Sequence, residues 1–348
     1  MTAEMLPHRD VTPILDRARE LTDPALRHAV SGLAPQMRRV AGYHLGWLDA
    51  NGEEQSSSHG KGIRYTLALL GTEAVGAPVT TGIPGGVAVE LIHNFSLLHD
   101  DLMDGDKERH HRATAWTIFG SSAAILGGVA LLTLAEEVLL DLGTEAGAAA
   151  AALLTKSTAR LVTGQTDDLE FETRASVPLD ECIRMAGNKT AALISASAAI
   201  GAVLAGAPAH TVTALSEFGE HLGLAFQLVD DLLGIWGTPE LTGKPVLADL
   251  RAGKKTLPVS AALDAGGPAA EELAALLAET NDEHDRFARE AELIEAAGGR
   301  QWTIAEAERQ LTLAGQQLAG AGLADTPRAR QATDELSAVA DFVVRRQL

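Results

Sequence analysis

Three aspartates at the end of a long apolar run constrain the fold of this chain more than any other feature. Asp100, Asp101 and Asp104 follow a stretch whose apolar members include Leu91, Ile92, Phe95, Leu97 and Leu98. If the stretch is a helix, Asp100 and Asp104 stand one turn apart on the same face. Like charges beside a buried face are costly unless a partner neutralises them. The pattern therefore predicts a buried helix that ends at a cation-binding site.

The donor atoms of this cluster indicate which cation would bind. The cluster offers carboxylate oxygens, without a cysteine or a pair of histidines at ligand spacing. Such donors suit Mg²⁺, which usually binds through one or two carboxylates together with substrate phosphates and retained waters. We therefore predict Mg²⁺ as the cofactor. A solvated acidic helix end is the alternative that the cluster by itself leaves open.

A second apolar stretch, residues 226–234, ends in the same way. Asp230 and Asp231 close it, and Gln227 lies one turn before Asp231. Packing alone does not readily explain two separate apolar helices that both end in paired aspartates. Two carboxylate clusters that face each other across a cavity would hold several metal ions around one diphosphate.

Basic residues near predicted helix ends indicate that an anion binds. Lys61 and Arg64 open an apolar helix, where their charges oppose the helix dipole unless an anionic ligand is present. Backbone N–H groups at that helix end, together with Lys and Arg, would form a diphosphate site. Arg109 follows the first acidic cluster, and Lys189 interrupts an apolar helix. The alternatives are a solvated helix end, an ordinary surface loop for Arg109, and a Lys189 side chain that reaches the surface.

Composition predicts the fold class. Hydrophobic residues make up 46% of the chain and aromatic residues only 4%, which favours helix packed on helix over a sheet rich in β-branched and aromatic residues. We therefore predict an all-α bundle. No change in composition divides the 348 residues, so one large domain spanning residues 1–348 is the predicted organisation, and two domains are the alternative.

Charge, cysteine content and hydropathy restrict partners and location. A net charge of −19 argues against nucleic acid and anionic membranes as partners. Segments 121–135 and 191–207 fall short of the ~18–20 strongly apolar residues of a membrane span. Cys182 is the only cysteine, which excludes an internal disulfide and fits a reducing compartment. Without a recognisable signal peptide, we expect a cytoplasmic protein with no membrane span.

In their order along the chain, these elements resemble the trans-type isoprenyl diphosphate synthases. The resemblance extends from about Arg27 to Arg346. Its motifs are GKxxR (60–64), the first aspartate-rich motif (100–104), GQxxDLxFE (164–172), KT (189–190), FQ with the second aspartate-rich motif (226–234), and GKKTLP (253–258). The family implies an all-α bundle with a deep central cavity, a homodimer, and a Mg²⁺-dependent condensation of an allylic diphosphate with isopentenyl diphosphate.

The resemblance also assigns roles to residues. Metal ligands would be Asp100, Asp104 and Asp230. Catalytic residues would be Asp100, Asp101, Asp104, Lys189, Asp230 and Asp231. The allylic diphosphate would contact Arg109, Lys189, Gln227 and Lys244, and isopentenyl diphosphate would contact Lys61, Arg64 and His93. Further substrate-binding residues would be His110, Thr190 and Lys254. Ionisation of the allylic C–O bond would produce a cation that alkylates isopentenyl diphosphate.

Residues just before Asp100 are predicted to limit product length. The growing chain should run beside this helix, and one helical turn advances ~5.4 Å, about one isoprene unit. Phe95 is bulky and Ser96 is small. An aromatic residue five positions before the first aspartate, with no insertion inside the motif, resembles the producers of C20 geranylgeranyl diphosphate. We therefore predict a C20 product.

Four positions depart from the family pattern. Tyr65 and Ala113 replace usual prolines, His110 replaces a usual arginine, and Gly234 replaces the last aspartate of the second motif. A neutral histidine is a weaker phosphate partner than arginine, so the departures weaken the expected isopentenyl diphosphate half. One alternative is a terpene synthase that cyclises a long allylic diphosphate or quenches its cation with water. Another is a non-catalytic subunit, against which the intact metal motifs argue.

Overall fold

A computed structural model describes residues 10–55, 60–109, 112–238, 246–278 and 284–345. The helices of the first half are α1 (Thr12–Ser31), α2 (Pro35–His44), α3 (Ile63–Ala74), α4 (Val79–Met103), α5 (Ala115–Phe119), α6 (Ser121–Leu140), α7 (Glu145–Glu172) and α8 (Leu179–Ala186). They continue with α9 (Ala192–Leu204), α10 (Ala209–Trp236), α11 (Ala248–Arg251), α12 (Leu257–Ala265), α13 (Pro268–Leu277), α14 (His284–Ala296), α15 (Gly299–Gly320) and α16 (Pro327–Arg345). The prediction of an all-α fold is confirmed.

Two short features interrupt this helical pattern. A π-helix, Gly187–Ala191, joins α8 to α9. Strands β1 (Glu108–Arg109) and β2 (Arg112–Ala113) pair antiparallel after the first aspartate motif. The sequence does not predict either feature, because a two-residue ribbon and a π-helical turn carry almost no hydrophobic period.

The chain forms two compact units, each made of discontinuous segments. The first unit comprises Met1–Lys156, Ala196–Ser216 and Gly320–Phe342, and the second comprises Ser157–Ser195, Glu217–Ala319 and Val343–Leu348. Most of the boundaries fall inside continuous helices, among them α7, α9 and α10. The prediction of a single domain over residues 1–348 stays a prediction.

In the first unit, α4 packs against α3 and α6. Its apolar residues Leu91, Ile92 and Leu98 are fully buried, so hydrophobic burial fixes the helix in place. Pro84 and the glycines around it favour a chain break, but α4 continues through Pro84. Pro84 lies near the start of the helix, and Gly85 beside it lets Ile200 approach to within 3.0 Å of the position that a Cβ would take. Close packing therefore compensates for the proline.

Helix α6 is long and apolar enough to cross a membrane by length and composition alone, and no other helix among the described residues meets that test. Its side chains Ile125, Leu126 and Val129 are exposed. The prediction of no membrane span stays a prediction.

In the second unit, α10 crosses the π-helix at a glycine. A Cβ at Gly223 would lie 2.4 Å from the Cα of Ala191, so the two backbones are in direct contact. Around the end of α10 a buried apolar cluster includes Ile235, Val259, Leu273 and Ile294. These contacts hold the end of α10 beside the start of α12, where the second aspartate motif and the GKKTLP segment lie.

Candidate active site

The first aspartate motif lies at the end of α4, as predicted, and its three carboxylates have different surroundings. Asp104 is the C-cap residue, and its N–H donates to the carbonyl of Asp100 at 2.8 Å. Asp100 is half-buried and Asp104 is exposed. Asp101 is only 1% exposed, and its Oδ1 accepts a hydrogen bond from Arg109 Nε at 2.7 Å. The outer aspartates are therefore more accessible to a ligand than the middle one.

The Asp101–Arg109 pair ties the strand β1 to the end of α4. Burial raises the pKa of the Asp101 carboxyl, and the charge and hydrogen bond of Arg109 oppose that rise. The second oxygen, Oδ2, is buried and has no hydrogen-bond partner among the described residues. Arg109 therefore neutralises Asp101 here, a contact that the sequence did not predict.

The start of α3 carries the predicted cations. Gly62 is the N-cap in the left-handed region (φ +67°), Lys61 precedes it, and Arg64 is the second residue of the helix. Lys61 Nζ lies 5.9 Å from the ring centroid of Phe342 in α16. The prediction that both cations open a helix is confirmed, and the cation–π contact with the C-terminal helix is new.

Arg64 is half-buried, and its Nε atom is buried. Its Nε lacks a hydrogen-bond partner among the described residues. Burial lowers the pKa of Arg64, and the charge of Glu90 on α4 opposes this effect. Burial also raises the pKa of Glu90. His93 follows Glu90 by three residues on the same helix, so it lies about one turn away. A buried guanidinium nitrogen with an unused N–H donor is costly and fits an anionic ligand at this position.

Phe95 and Ser96 are both buried in α4, at 7% and 8% exposure. The Ser96 hydroxyl donates to the carbonyl of His93 at 2.8 Å, so it is satisfied within its own helix. The Phe95 ring contacts the imidazole of His99 edge to face.

The second aspartate motif is held by a chain of hydrogen bonds in the second unit. Thr190 Oγ1 donates to Gln227 Oε1 at 2.6 Å, and Gln227 Nε2 donates to Asp231 Oδ1 at 2.7 Å. Asp231 Oδ2 accepts from the backbone N–H of Leu257 at 2.8 Å. Asp231, the second aspartate of this motif, is buried like Asp101, at 6% exposure, whereas Asp230 is exposed. The chain joins the KT, FQ and GKKTLP segments to one carboxylate.

Asp231 has a strongly perturbed carboxyl. Burial raises its pKa to about 7, the hydrogen bonds from Leu257 and Gln227 oppose the rise, and the charges of Asp249 and Asp230 add to it. Both of its oxygens accept hydrogen bonds from the protein, which suits this carboxyl to positioning its neighbours.

Lys189 lies in the π-helix and pairs with Asp168 of α7. Its Nζ is 2.5 Å from Asp168 Oδ2. A Cβ at Gly164 would lie 2.2 Å from the backbone nitrogen of Lys189, so only glycine allows α7 to approach the π-helix this closely. Of the two possibilities left open by the sequence, a partner and an exposed side chain, the structure gives the partner. It is a carboxylate of the GQxxDLxFE motif.

Asp249 explains why glycine stands at position 234. A Cβ at Gly234 would lie 1.8 Å from Asp249 Oδ2, so the Asp249 carboxylate occupies the space of the missing side chain. Asp249 lies on α11, whose N-cap residue Leu247 has φ +64°, the only positive φ of a non-glycine residue in the described ranges. Sequence reasoning missed Asp249, and the only signal was the departure at Gly234.

Two predicted substrate-binding residues, His110 and Lys244, lie outside the described residues. The backbone N–H of Lys254 donates to the carbonyl of Asp249 at 3.0 Å.

Gln165, next to Gly164, is 7% exposed, and neither atom of its amide has a hydrogen-bond partner among the described residues. A buried amide in this state fits a bound water or substrate atom.

The accessible carboxylates fit a hard cation that also takes ligands from the substrate. Within the described ranges, no three His, Cys, Asp or Glu side chains are grouped so that they could hold a metal ion. Mg²⁺ does not need such a group, because it binds through one or two carboxylates and completes its shell with phosphates and water. Asp100, Asp104 and Asp230 supply oxygen donors of this kind.

Comparisons with known proteins agree with this arrangement. The sequence profile of the polyprenyl synthetase family matches residues 46–294. The chain is 50% identical over 343 residues to the (2E,6E)-farnesyl diphosphate synthase of Mycobacterium tuberculosis, covering 97% of this chain and 94% of that protein. It is 41% identical over 336 residues to the geranylgeranyl diphosphate synthase of the same organism, covering 96% and 93%.

Solved structures give the same result. The polyprenyl synthetase of Streptomyces coelicolor is 51% identical and superimposes with a TM-score of 0.91, covering 96% of this chain and all of that one. A polyprenyl synthase of Caulobacter crescentus, solved with calcium and isoprenyl diphosphate, is 27% identical with a TM-score of 0.80, covering 99% of this chain and all of that one. Since the first aspartate motif ends α4, the second lies near the end of α10 and the likeness spans nearly the whole chain, this protein belongs to the polyprenyl synthetase family of trans-isoprenyl diphosphate synthases and is a prenyltransferase.

Proposed function

We propose that this prenyltransferase condenses isopentenyl diphosphate with an allylic diphosphate, with Mg²⁺ as the cofactor, and releases C20 geranylgeranyl diphosphate. One observation carries the proposal. In both aspartate motifs the second carboxylate, Asp101 or Asp231, is buried and bound to protein donors, whereas Asp104 and Asp230 are exposed. Their exposure supports the assignment of Asp104 and Asp230 as metal ligands.

In the proposed mechanism, Asp100, Asp104 and Asp230 would hold Mg²⁺. The bound metal would stabilise the charge that develops on the leaving diphosphate. Lys189 and Arg109 contact that diphosphate, and Gln227, Lys244, Thr190 and Lys254 complete the proposed contacts. The allylic C–O bond breaks and its electron pair leaves with the diphosphate. The double bond of isopentenyl diphosphate attacks the allylic carbon, and the released diphosphate takes the proton lost in the final step.

Isopentenyl diphosphate is assigned to Lys61, Arg64 and His93, with His110 in place of an arginine. The unused Nε donor of Arg64 supports this assignment. When an anion binds, that donor gains an acceptor, and the cost of burying the guanidinium falls.

Product length is assigned to Phe95 as the floor of the chain-binding space, with Ser96 beside it. C20 is the proposed product, because one bulky residue precedes the motif and no residue is inserted within it. C15 farnesyl diphosphate is the second candidate, favoured by the 50% identity to a protein named farnesyl diphosphate synthase.

A homodimer in the cytoplasm, built from one domain, is also proposed. The exposed apolar side chains Ile125, Leu126 and Val129 on α6 support a dimer, because an exposed apolar patch commonly marks an interface.

Incubation of the purified protein with Mg²⁺ and farnesyl diphosphate, with and without isopentenyl diphosphate, tests the proposal. Products are dephosphorylated and separated by chromatography. We expect a C20 alcohol only when isopentenyl diphosphate is present, and the same incubation with geranyl diphosphate distinguishes a C15 producer, which would stop after one addition. A hydrocarbon or alcohol formed without isopentenyl diphosphate would instead identify a terpene synthase. No product from farnesyl or geranyl diphosphate, with or without isopentenyl diphosphate, would support a non-catalytic subunit.

A further inference from the structure

His99 links the proposed product-length residue to the neighbouring helix. On α4 it follows Phe95 by four residues, and the two rings meet edge to face with centroids 4.9 Å apart and planes at 72°. On its other side, His99 Nε2 lies 3.0 Å from the carbonyl oxygen of Ile125 in α6. A carbonyl oxygen only accepts, so Nε2 carries the hydrogen in this contact. The imidazole is therefore held on both sides, by the Phe95 ring on its own helix α4 and by the carbonyl of Ile125 on α6.

The imidazole fits against α6 only because residue 128 is glycine. A Cβ at Gly128 would lie 2.3 Å from His99 Nε2 and 2.5 Å from its Cδ2. The adjacent Gly127 faces a different neighbour, since a Cβ there would lie 2.8 Å from Val40 Cγ1 and 3.8 Å from Leu98 Cδ1. Two consecutive glycines of α6 thus have separate roles, and only Gly128 accommodates His99.

This packing limits where the Phe95 ring can lie. Phe95 is almost completely buried, and buried side chains occupy discrete rotamers in close-packed surroundings. While His99 is fixed against Gly128, the Phe95 ring cannot move toward α6. Removal of the imidazole would open space for that movement.

We infer that His99, seated against Gly128 and the carbonyl of Ile125, is a positioning residue for product length and acts by holding the Phe95 ring in place. The inference rests on the proposed function, in which Phe95 is the floor of the chain-binding space.

Two substitutions should shift the product in opposite directions. His99→Ala removes the support, so the ring can retreat and open about one helical turn, ~5.4 Å or one isoprene unit. We expect the ratio of the next longer product to the wild-type product to rise about tenfold or more. Gly128→Ala displaces the imidazole toward Phe95 and should increase the share of the next shorter product. Gly127→Ala is the matched control, because it adds the same methyl group one residue away, and it should keep the wild-type ratio.

The experiment uses the full chain with Mg²⁺, geranyl diphosphate and excess isopentenyl diphosphate, and measures the ratio of C15, C20 and C25 alcohols after dephosphorylation. His99→Gln, which keeps a hydrogen-bond donor but loses the ring, should also lengthen the product and covers the case in which His99→Ala does not fold. In a double-mutant cycle, His99→Ala should add nothing to Phe95→Ala, since His99 acts through that ring.

The outcomes separate this inference from the proposed function. If the wild type elongates but the folded His99 variants keep its product ratio, the inference is wrong and the proposed function stands. If His99→Ala lengthens the product equally in the presence and absence of Phe95, His99 does not act through Phe95 and the inference is also wrong. If the wild type fails to elongate with isopentenyl diphosphate, both are overturned.

Discussion

At the scale of single residues, each aspartate motif separates two tasks. Asp101 accepts a hydrogen bond from Arg109 and so joins α4 to strand β1. Asp231 accepts hydrogen bonds from Gln227 and from the backbone of Leu257 and so joins α10 to the start of α12. Asp104 and Asp230, by contrast, are exposed. A short acidic motif can therefore combine a buried structural carboxylate with one that a ligand can reach.

This division predicts different phenotypes for two adjacent substitutions. Asp100→Asn should lower kcat about 10²-fold or more, because it removes a proposed ligand of the ion that would stabilise the leaving group. It should also weaken the binding of Mn²⁺ in the presence of pyrophosphate. Asp101→Asn leaves Arg109 without its counter-ion and should mainly lower the melting temperature. Electron paramagnetic resonance of Mn²⁺ and thermal unfolding measure the two effects, with the exposed Asp141→Asn as control. Equal loss of Mn²⁺ binding in both variants would contradict the division.

Asp231 predicts an unusual dependence of stability on pH. Its folded pKa of about 7 lies above the ordinary value of 3.8, so between these values the folded state holds a proton that the unfolded state has lost. The free energy of unfolding therefore falls as pH rises from about 4 to about 7, by an upper limit of about 4 kcal/mol. Asp231→Asn removes this pH-dependent contribution to the free energy of unfolding.

The measurement is the difference in melting temperature between Asp231→Asn and the wild type, without metal, at pH 5 and at pH 8. We expect the variant to gain several degrees relative to the wild type at the higher pH. Asp264→Asn changes an exposed aspartate of the same unit and should show no such trend. A pH-independent difference for Asp231→Asn would show that the carboxyl ionises normally.

At the scale of secondary-structure elements, the π-helix is fixed by two glycines on different helices. Gly164 of α7 and Gly223 of α10 each leave no room for a Cβ against it. Single π-helical turns often occur at functional sites, and this one carries Lys189 and Thr190. Backbone contact on both sides places these two side chains beside Asp168 and Gln227.

Gly164→Ala tests this arrangement. The added methyl group meets the backbone of Lys189 and should cost about 1–3 kcal/mol of stability, and the shifted Lys189 should raise the KM for the allylic diphosphate. Gly315→Ala is the matched control. It lies within α15 with no atom within 4 Å of the added Cβ, so it should stabilise by about 0.5–1 kcal/mol. Urea unfolding and steady-state kinetics give both values. A neutral Gly164→Ala would show that the contact is not required.

The helices were predictable from the sequence where a local pattern determines them. The end of α4 at Asp104 and the position of Arg64 in α3 both follow from apolar periodicity and adjacent charges. The contacts of Asp249 with Gly234 and of His99 with Gly128 were not predictable, because each joins residues from separate helices. Pro84 was misread for a related reason: only tertiary packing shows that α4 tolerates it.

At the scale of the whole molecule, the two units are connected by unbroken helices rather than by linkers. The chain passes from one unit to the other within α7 after Lys156, within α9 after Ser195 and within α10 after Ser216. Independent domains are usually joined through exposed linkers with few contacts. Unfolding one unit alone would leave these helices broken in the middle, which discards their cooperative hydrogen bonding.

We therefore expect the two units to unfold in one transition. The four tryptophans provide reporters, since Trp47 lies in the first unit and Trp236 in the second. Each has a guanidinium over its ring, from Arg27 at 4.5 Å and Arg300 at 5.2 Å, so its fluorescence should change on unfolding. In variants that keep one of these two tryptophans and replace the other three with phenylalanine, guanidinium chloride should give coincident midpoints and m-values. The far-ultraviolet circular dichroism curve is the control and should overlay both. If each variant keeps wild-type stability by circular dichroism but Trp236 gives a midpoint different from that of Trp47, the chain consists of two domains. A single cooperative unit would unfold around both tryptophans at the same denaturant concentration.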